Sequence, residues 1–419
     1  MEIIADLHIH SPYAMACSKN ITLEAINNSA VDKGIRVIGT GDFTHPRWMH
    51  EIKDKLVEGK HGLYRLKGYE AKTDFILTSE VSTIFTKGAR QRKIHNCILA
   101  PSIEVVEQVN AALKRFGSLE SDGRPQLGMS AAELVEILHG IDKRIIVFPA
   151  HAWTPWFGVF GSLSGFDSMK DAYEDQEMHI HALETGLSSD PIMNWRISSL
   201  DKYTLLSNSD AHSVQKIGRE ANVFDIPEDK LSYGEISNAI IGKDVKKIKM
   251  TVEFYPEEGK YHFDGHRNCS FSSSPERSAK YNNVCPVCGK RLTLGVLHRI
   301  NELADRPEGY IPANAIPYVH AVPLIEVLSY MMKKPETAVG VKGAYMKLIE
   351  RFGSEFNVLL KSDINSIGNV DKELGQAIRR IRDEEVNLIP GYDGIFGIVD
   401  IMNREKPKKI ATQKSISDY

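Results

Sequence analysis

The segment Asp6-Leu7-His8-Ile9-His10 carries two imidazoles two residues apart. In an extended chain they point the same way, so His8 and His10 can share one metal ion. Further His, Asp and Glu residues recur along the first 250 residues, each beside a short apolar run: Asp42, Glu80, His95, His151, Glu184 and the pair Asp210-Ala211-His212. Imidazole and carboxylate together suit Zn²⁺, Mn²⁺ or Fe²⁺ better than Ca²⁺. So many convergent ligands exceed one tetrahedral ion, so two or three divalent ions (Zn, Mn or Mg) are expected. A bridging carboxylate, for which Glu80 is chosen, would hold two of them about 3.5–4 Å apart. His8, His10, Asp42, Glu80, His95, His151, Asp210 and His212 are expected to bind the ions, with Glu184 binding metal or orienting a ligand from behind. Asp210, Glu80 and His151 are the expected catalytic residues. His45, His50, His61, His139, His179 and His181 lack this regularity and are read as packing or surface residues.

For these groups to converge, the runs before them must be strands that end together. The apolar runs at 2–6, 35–40, 75–81, 93–100, 144–150, 180–184 and 203–207 read as strands. Amphipathic segments between them read as helices at 23–32, with Thr22 as N-cap and Gly34 as stop, and at 103–115, 131–138 and 233–241. This alternation implies βαβ units and a mostly parallel sheet or barrel, whose strand ends meet on one face. No Gly-x-Gly-x-x-Gly follows the first strand and no Gly-x-x-x-x-Gly-Lys-[Ser/Thr] loop is present, which disfavours dinucleotide and helicase folds.

A second chemistry lies further on. Cys285-Pro-Val-Cys288-Gly-Lys is a thiolate knuckle that needs two more ligands. Cys269 is the third, and His266 the fourth with His262 as competitor. Residues 251–310 therefore read as a module stapled by one structural Zn, with a Ser-rich stretch at 270–274 that resembles a solvated linker. Lys290, Arg291 and Arg299 are candidate phosphate clamps. Residues 311–405 form a third block with helices at 319–332, 344–352 and 372–383 and a turn-rich loop at 389–394. That loop and Arg379-Arg380-Ile381-Arg382 are candidates for nucleic-acid contact, and the aromatic, Gly-rich loop at 153–166 is a candidate wall of the site. Residues 406–419 read as a disordered polar tail, in which Gln413, Ile416 and Tyr419 have the spacing of a sliding-clamp-binding peptide.

The whole chain has 419 residues, 42% hydrophobic and 26% charged, with a net charge of −3. That is the mixture of globular domains, and near-neutrality leaves room for a local basic patch. Five cysteines and a start without signal-peptide character point to a reducing, cytoplasmic and nucleoid-associated setting. No apolar run approaches the length of a membrane span.

With His8-x-His10, Asp42, Glu80, His95, His151, Glu184 and Asp210-x-His212 in hand, residues 1–250 resemble the PHP (polymerase and histidinol phosphatase) phosphoesterases. That resemblance implies an α/β fold built as a distorted seven-stranded β/α barrel, here followed by a zinc-binding module and a mainly helical C-terminal domain. Where that family commonly has His after the second-motif Asp, this chain has Phe43. The order of the barrel motifs, the Cys285–Lys290 knuckle, Gly295-Val-Leu-His-Arg299, Leu303-Ala-Asp-Arg-Pro307 and Ile389-Pro-Gly-Tyr-Asp-Gly394 resembles a narrower family, the endonuclease Q enzymes. This implies a metal-dependent DNA repair endonuclease that cuts 5′ of deaminated bases (uracil, hypoxanthine, xanthine) and of abasic sites. The competing readings are a PHP phosphomonoesterase acting on a small metabolite and a non-catalytic DNA-binding scaffold.

Overall fold

The computed structural model describes residues 2–70 and 72–403. The expected tail and its clamp-binding spacing lie outside the described residues. All seven expected strands and four expected helices of the first block form. Thr22 Oγ1 accepts the Ala25 N–H and Gly34 closes the Leu23–Lys33 helix at φ 84°, where a side chain would also run into Ser354.

The sheet is not mostly parallel. Glu2–Asp6, Val37–Gly39 and Asp74–Lys87 lie parallel in that order, but Arg90–Ala100 turns back antiparallel on Asp74–Lys87, and Ile146–Pro149 pairs antiparallel with it. The cause is local. Gly88-Ala89, both at positive φ, close a long hairpin where a mostly parallel sheet was expected. Reversal of this one strand places His95 mid-strand beside Glu80, which is itself mid-strand, while His8, Asp42, His151 and Asp210 stand just after strand ends. In the hairpin register Glu80 faces Cys97 and Ser82 faces His95, so these four side chains share one face.

Two further parallel strands, Ala182–Glu184 and Thr204–Leu206, follow. Ala152 N–H donates to the Glu184 carbonyl, and His10 N–H donates to the Ala211 carbonyl, both at 3.0 Å, so the curved layer is bridged back to the first strand. On that strand's other side come Ala221–Asp225, Ile248–Glu253 and Tyr318–His320. The last of these corrects the expected helix at 319–332. Its first residues extend the sheet, and the helix begins after Pro323 as Leu324–Met332. The Ser-rich stretch is corrected too. Phe271–Ser273 is buried and pairs with Asp264–His266. The C-terminal block is mainly helical, with Val339–Phe352 and Lys372–Arg382 as expected. No helix among the described residues is long and apolar enough to cross a membrane.

His320 ties the last block to the first. Its Nδ1 lies 3.0 Å from Glu384 and its Nε2 3.2 Å from Asp190. Burial opposes its charge, but the two carboxylates raise its pKa to about 10. A folded-state pKa above the ordinary 6.5 stabilises fully below pH 6.5 and is lost as pH rises through about 10. His320→Gln should therefore lower stability by about 2 kcal/mol at pH 6, and the difference from wild type should close towards pH 10. Thermal midpoints across that range check this; a pH-independent gap contradicts it.

Candidate metal centre

Backbone hydrogen bonds fix the strand ends on which the site is built. Trp48 is fully buried and donates its indole N–H to the carbonyls of Thr40 and Gly41, at 3.0 and 2.9 Å. That holds the turn in which Asp42 sits at φ 44°. Asp6, buried and pushed up to about pKa 6 by that burial, accepts the N–H groups of Ser209 and Gly218. Asn208 accepts from Leu7 N–H and donates to Glu184. Together they draw the segment before Asp210 against the first strand. His151 and Asp210 also have positive φ, 30° and 47°. Non-glycine residues rarely adopt that region, and such backbone clusters at functional sites.

Two sets of donors converge, and Glu80 belongs to both. His8, His10, Glu80 and Asp210 form one set; Glu80, His95 and His151 form the other, each with its candidate ligand atoms within 4.8 Å of one another. The two Glu80 oxygens divide the work. Oε2 lies 3.2 Å from His10 Nε2 and 3.6 Å from His8 Nε2, while Oε1 lies 2.8 Å from His95 Nδ1 and 3.1 Å from His151 Nε2. Asp210 Oδ1 is 3.0 Å from His10 Nε2.

Three of the rings are held from behind. His8 Nδ1 lies 3.1 Å from both Glu184 oxygens, His10 Nδ1 2.9 Å from Asp42, and His151 Nδ1 2.9 Å from Thr154 Oγ1. Their Nε2 atoms are thereby aimed inward, the arrangement by which carboxylates orient ligating imidazoles. The structure does not bring Asp42 into either set. It stands behind His10, its other oxygen taken by Ser11 N–H at 2.6 Å. His212 also stays outside. Its ring packs 4.6 Å from His10 and its Nδ1 lies 2.9 Å from the Asp210 carbonyl. Glu184 joins only a side group with His8 and Cys97.

The residues fit a divalent cation. His8 Nε2 is buried and has no hydrogen-bond partner, which costs free energy unless something accepts its lone pair. Burial opposes charge on Glu80, yet His95, Arg124 and His8 hold its carboxyl well below the ordinary range. Asp210 is likewise held down, by His10, His212 and His8 against its burial. Burial drives His95 down to about pKa 3, whereas the anionic groups around His8, His10 and His151 raise them against their burial.

Arg124 gives no signal in the sequence, being isolated in an irregular segment; its guanidinium lies 3.0 Å from Glu80 Oε2. Asp6 does carry a signal, since its place two residues before His8 puts it on the same face. A cavity of about 930 Å³ opens over the site, lined by His95, His151, Asp210 and His212. The loop expected as its wall supplies Trp156 and Phe157, and Tyr261 and Phe396 come from distant segments. Trp156 meets Tyr261 edge-on at 5.7 Å, and Lys260 lies 4.5 Å over the Phe396 ring.

A separate group contains His266, Cys269, Cys285 and Cys288. Three thiols and an imidazole are the donor set of a closed tetrahedral Zn²⁺ site. Gly289 turns at φ 73°, and the Lys290 backbone N–H lowers the Cys288 thiol. His262, the competitor, is buried against Phe263 and is not in the group. The expected phosphate clamp Arg299 is occupied internally, as are Arg380 and Arg382, which bond backbone carbonyls of their own block.

The family model described as the MJ0043 C-terminal domain matches residues 323–385. The uncharacterised protein YqxK of Bacillus subtilis (strain 168) is 29% identical over 94% of this chain and 98% of its own length. Two solved structures, each 33% identical, align over 100% of this chain. The lesion-specific endonuclease PfuEndoQ from Pyrococcus furiosus does so over 98% of its own chain with a TM-score of 0.84. Endonuclease Q in complex with a 27-mer duplex substrate bearing an abasic lesion at the active site does so over 100% with 0.85. Fold and relatives define a hydrolase of the nuclease class. The chain belongs to the endonuclease Q family.

Glu80→Gln removes the carboxylate both sets share. It should lower the divalent metal that the protein retains, while leaving metal on the His266, Cys269, Cys285 and Cys288 group in place. Elemental analysis after gel filtration checks this, and unchanged total metal contradicts it.

Proposed function

We propose that this protein is a metal-dependent DNA repair endonuclease that hydrolyses the phosphodiester 5′ of uracil, hypoxanthine, xanthine and abasic sites. The observation that carries the reading is the position of Glu80, one oxygen towards each donor set, buried behind His95, His151 and Asp210, which line an aromatic-walled cavity. The related endonuclease whose structure holds a duplex with an abasic lesion supports DNA as the substrate.

In this reading His8, His10, Glu80 and Asp210 hold one ion and Glu80, His95 and His151 another, with Zn, Mn or Mg as candidates. Divalent ions there would neutralise the phosphate, lower the pKa of a bound water and stabilise the departing oxygen. Asp42, Glu184 and Thr154 keep the imidazoles aimed, and His212 stands beside Asp210 at the cavity wall. A cavity of about 930 Å³ is at the roomy end for small-molecule sites. Trp156, Phe157, Tyr261 and Phe396 offer faces on which an extruded base can stack. Lys260 brings positive charge to the mouth, which favours an anionic backbone.

The same reading takes the strands from Glu2–Asp6 to Thr204–Leu206 as a closing seven-stranded PHP barrel, residues 251–310 as a module folded by one Zn, and residues 311–405 as a DNA-contacting domain. A sliding clamp as partner through the tail and a cytoplasmic, nucleoid-associated location belong to it as proposals.

Asp210→Asn should cut the cleavage rate of end-labelled duplexes carrying uracil, hypoxanthine or an abasic site at least about 100-fold. Binding of the same duplexes, followed by gel shift, should stay within a few-fold of wild type. Cleavage at the wild-type rate contradicts the assignment.

A further inference from the structure

Arg299 lies after the last cysteine in the chain, yet its side chain reaches the loop that supplies Trp156 and Phe157 to the cavity wall. It lies on the helix Val296–Leu303 and is 12% exposed. Its Nε donates to the Phe160 carbonyl at 3.0 Å, and its Nη2 donates to the Phe166 carbonyl at 3.1 Å and also reaches Asp167. Nearby, Ser162 Oγ donates to the Leu294 carbonyl at 3.0 Å. These contacts grip an irregular loop, residues 152–167, that forms no helix or strand.

The far side of that loop holds two candidate ligands. Phe157 stacks on His95 at 4.2 Å, and its carbonyl accepts the His95 backbone N–H at 2.9 Å. Thr154 Oγ1 lies 2.9 Å from His151 Nδ1. In the other direction the helix is tied to the cysteine module. Asp264 accepts Gly295 N–H at 2.7 Å and pairs with His298 Nδ1 at 2.6 Å. Asp264 begins the strand Asp264–His266, which ends at His266 of the Cys3His group. A continuous run of bonds therefore leads from the thiolate group through Asp264, His298 and Arg299 into the loop, and from the loop to His95 and His151.

We propose that Arg299 is a positioning residue, and that the Cys3His module serves to hold the cavity loop, and with it His95 and His151, in ligating geometry. The proposal deepens the reading of the site as a divalent-metal centre and rests on it. The loop is also anchored by Arg92 to the Gly165 carbonyl, by Trp153 to Asn194 and by Ser164 to the Lys93 carbonyl, but among the described residues only Arg299 links it to the helix that leaves the cysteine module through two carbonyls at once. A rigid guanidinium that binds two carbonyls at once does so through geometry, which a lysine ammonium cannot reproduce.

Mn²⁺ alone, titrated into the full-length protein and followed by electron paramagnetic resonance, is the test. Arg299→Gln and Arg299→Lys should each weaken Mn²⁺ binding about 10-fold or more, the usual effect of removing support from a metal ligand. Cys288→Ser should do the same, and the Cys288→Ser/Arg299→Gln double variant should bind no more weakly than the worse single variant, because one path is broken twice. Wild-type affinity in Arg299→Gln, full rescue by Arg299→Lys, or losses that multiply in the double variant would each overturn the proposal. If Cys288→Ser does not fold, the two Arg299 variants decide alone. Mn²⁺ binding needs no DNA, so the outcome is independent of whether lesion duplexes are cut.

Discussion

The structure turns on a carboxylate that ought not to be charged. Glu80 is buried on a sheet face, where desolvation disfavours its anion, yet four imidazoles and a guanidinium crowd it. A buried anion persists only when paired and hydrogen-bonded on all sides. The surrounding architecture supplies that pairing: the hairpin brings His95 beside Glu80, the first strand supplies His8 and His10, and the strained turn at His151 closes the ring.

Convergence has a structural cost. His151, Asp210 and Asp42 all sit at positive φ, and each turn is held by buried hydrogen bonds. Trp48 spends its only donor on the Asp42 turn. Asp6 spends a buried charge on the Asp210 segment. Gly186, at φ 69°, stands where a Cβ would lie 2.8 Å from His151 Cα, so the glycine itself makes room for His151. Stability is given up locally so that the donors face a common point, as expected of a preorganised site.

Much of this was legible from residue type and spacing. The His8-x-His10 and Asp210-x-His212 pairs, and single acids or imidazoles after apolar runs, named every member of the two donor sets. The thiol group was legible down to His266, because Cys-x-x-Cys and His-x-x-Cys spacings are local. What spacing does not encode is the difference between joining a donor set and standing behind one. Asp42 and His212 have the right chemistry at the right strand ends, and only the packing puts them behind or beside the two donor sets. Arg124 was invisible because it acts from an irregular segment with no period. The reversed strand was missed because a hairpin closed by Gly88-Ala89 reads, in a single sequence, like any other turn. At Val319, apolar character alone could not separate a strand end from a helix start.

The central claim is that one buried carboxylate is shared by two cation sites. Crystals grown with Mn²⁺ and measured at the manganese absorption edge test it most directly. Two anomalous peaks about 3.5–4 Å apart, one against each Glu80 oxygen and flanked by His8/His10/Asp210 and His95/His151 respectively, are the predicted result. A single peak bound without Glu80, or none within reach of its carboxylate, would contradict the account.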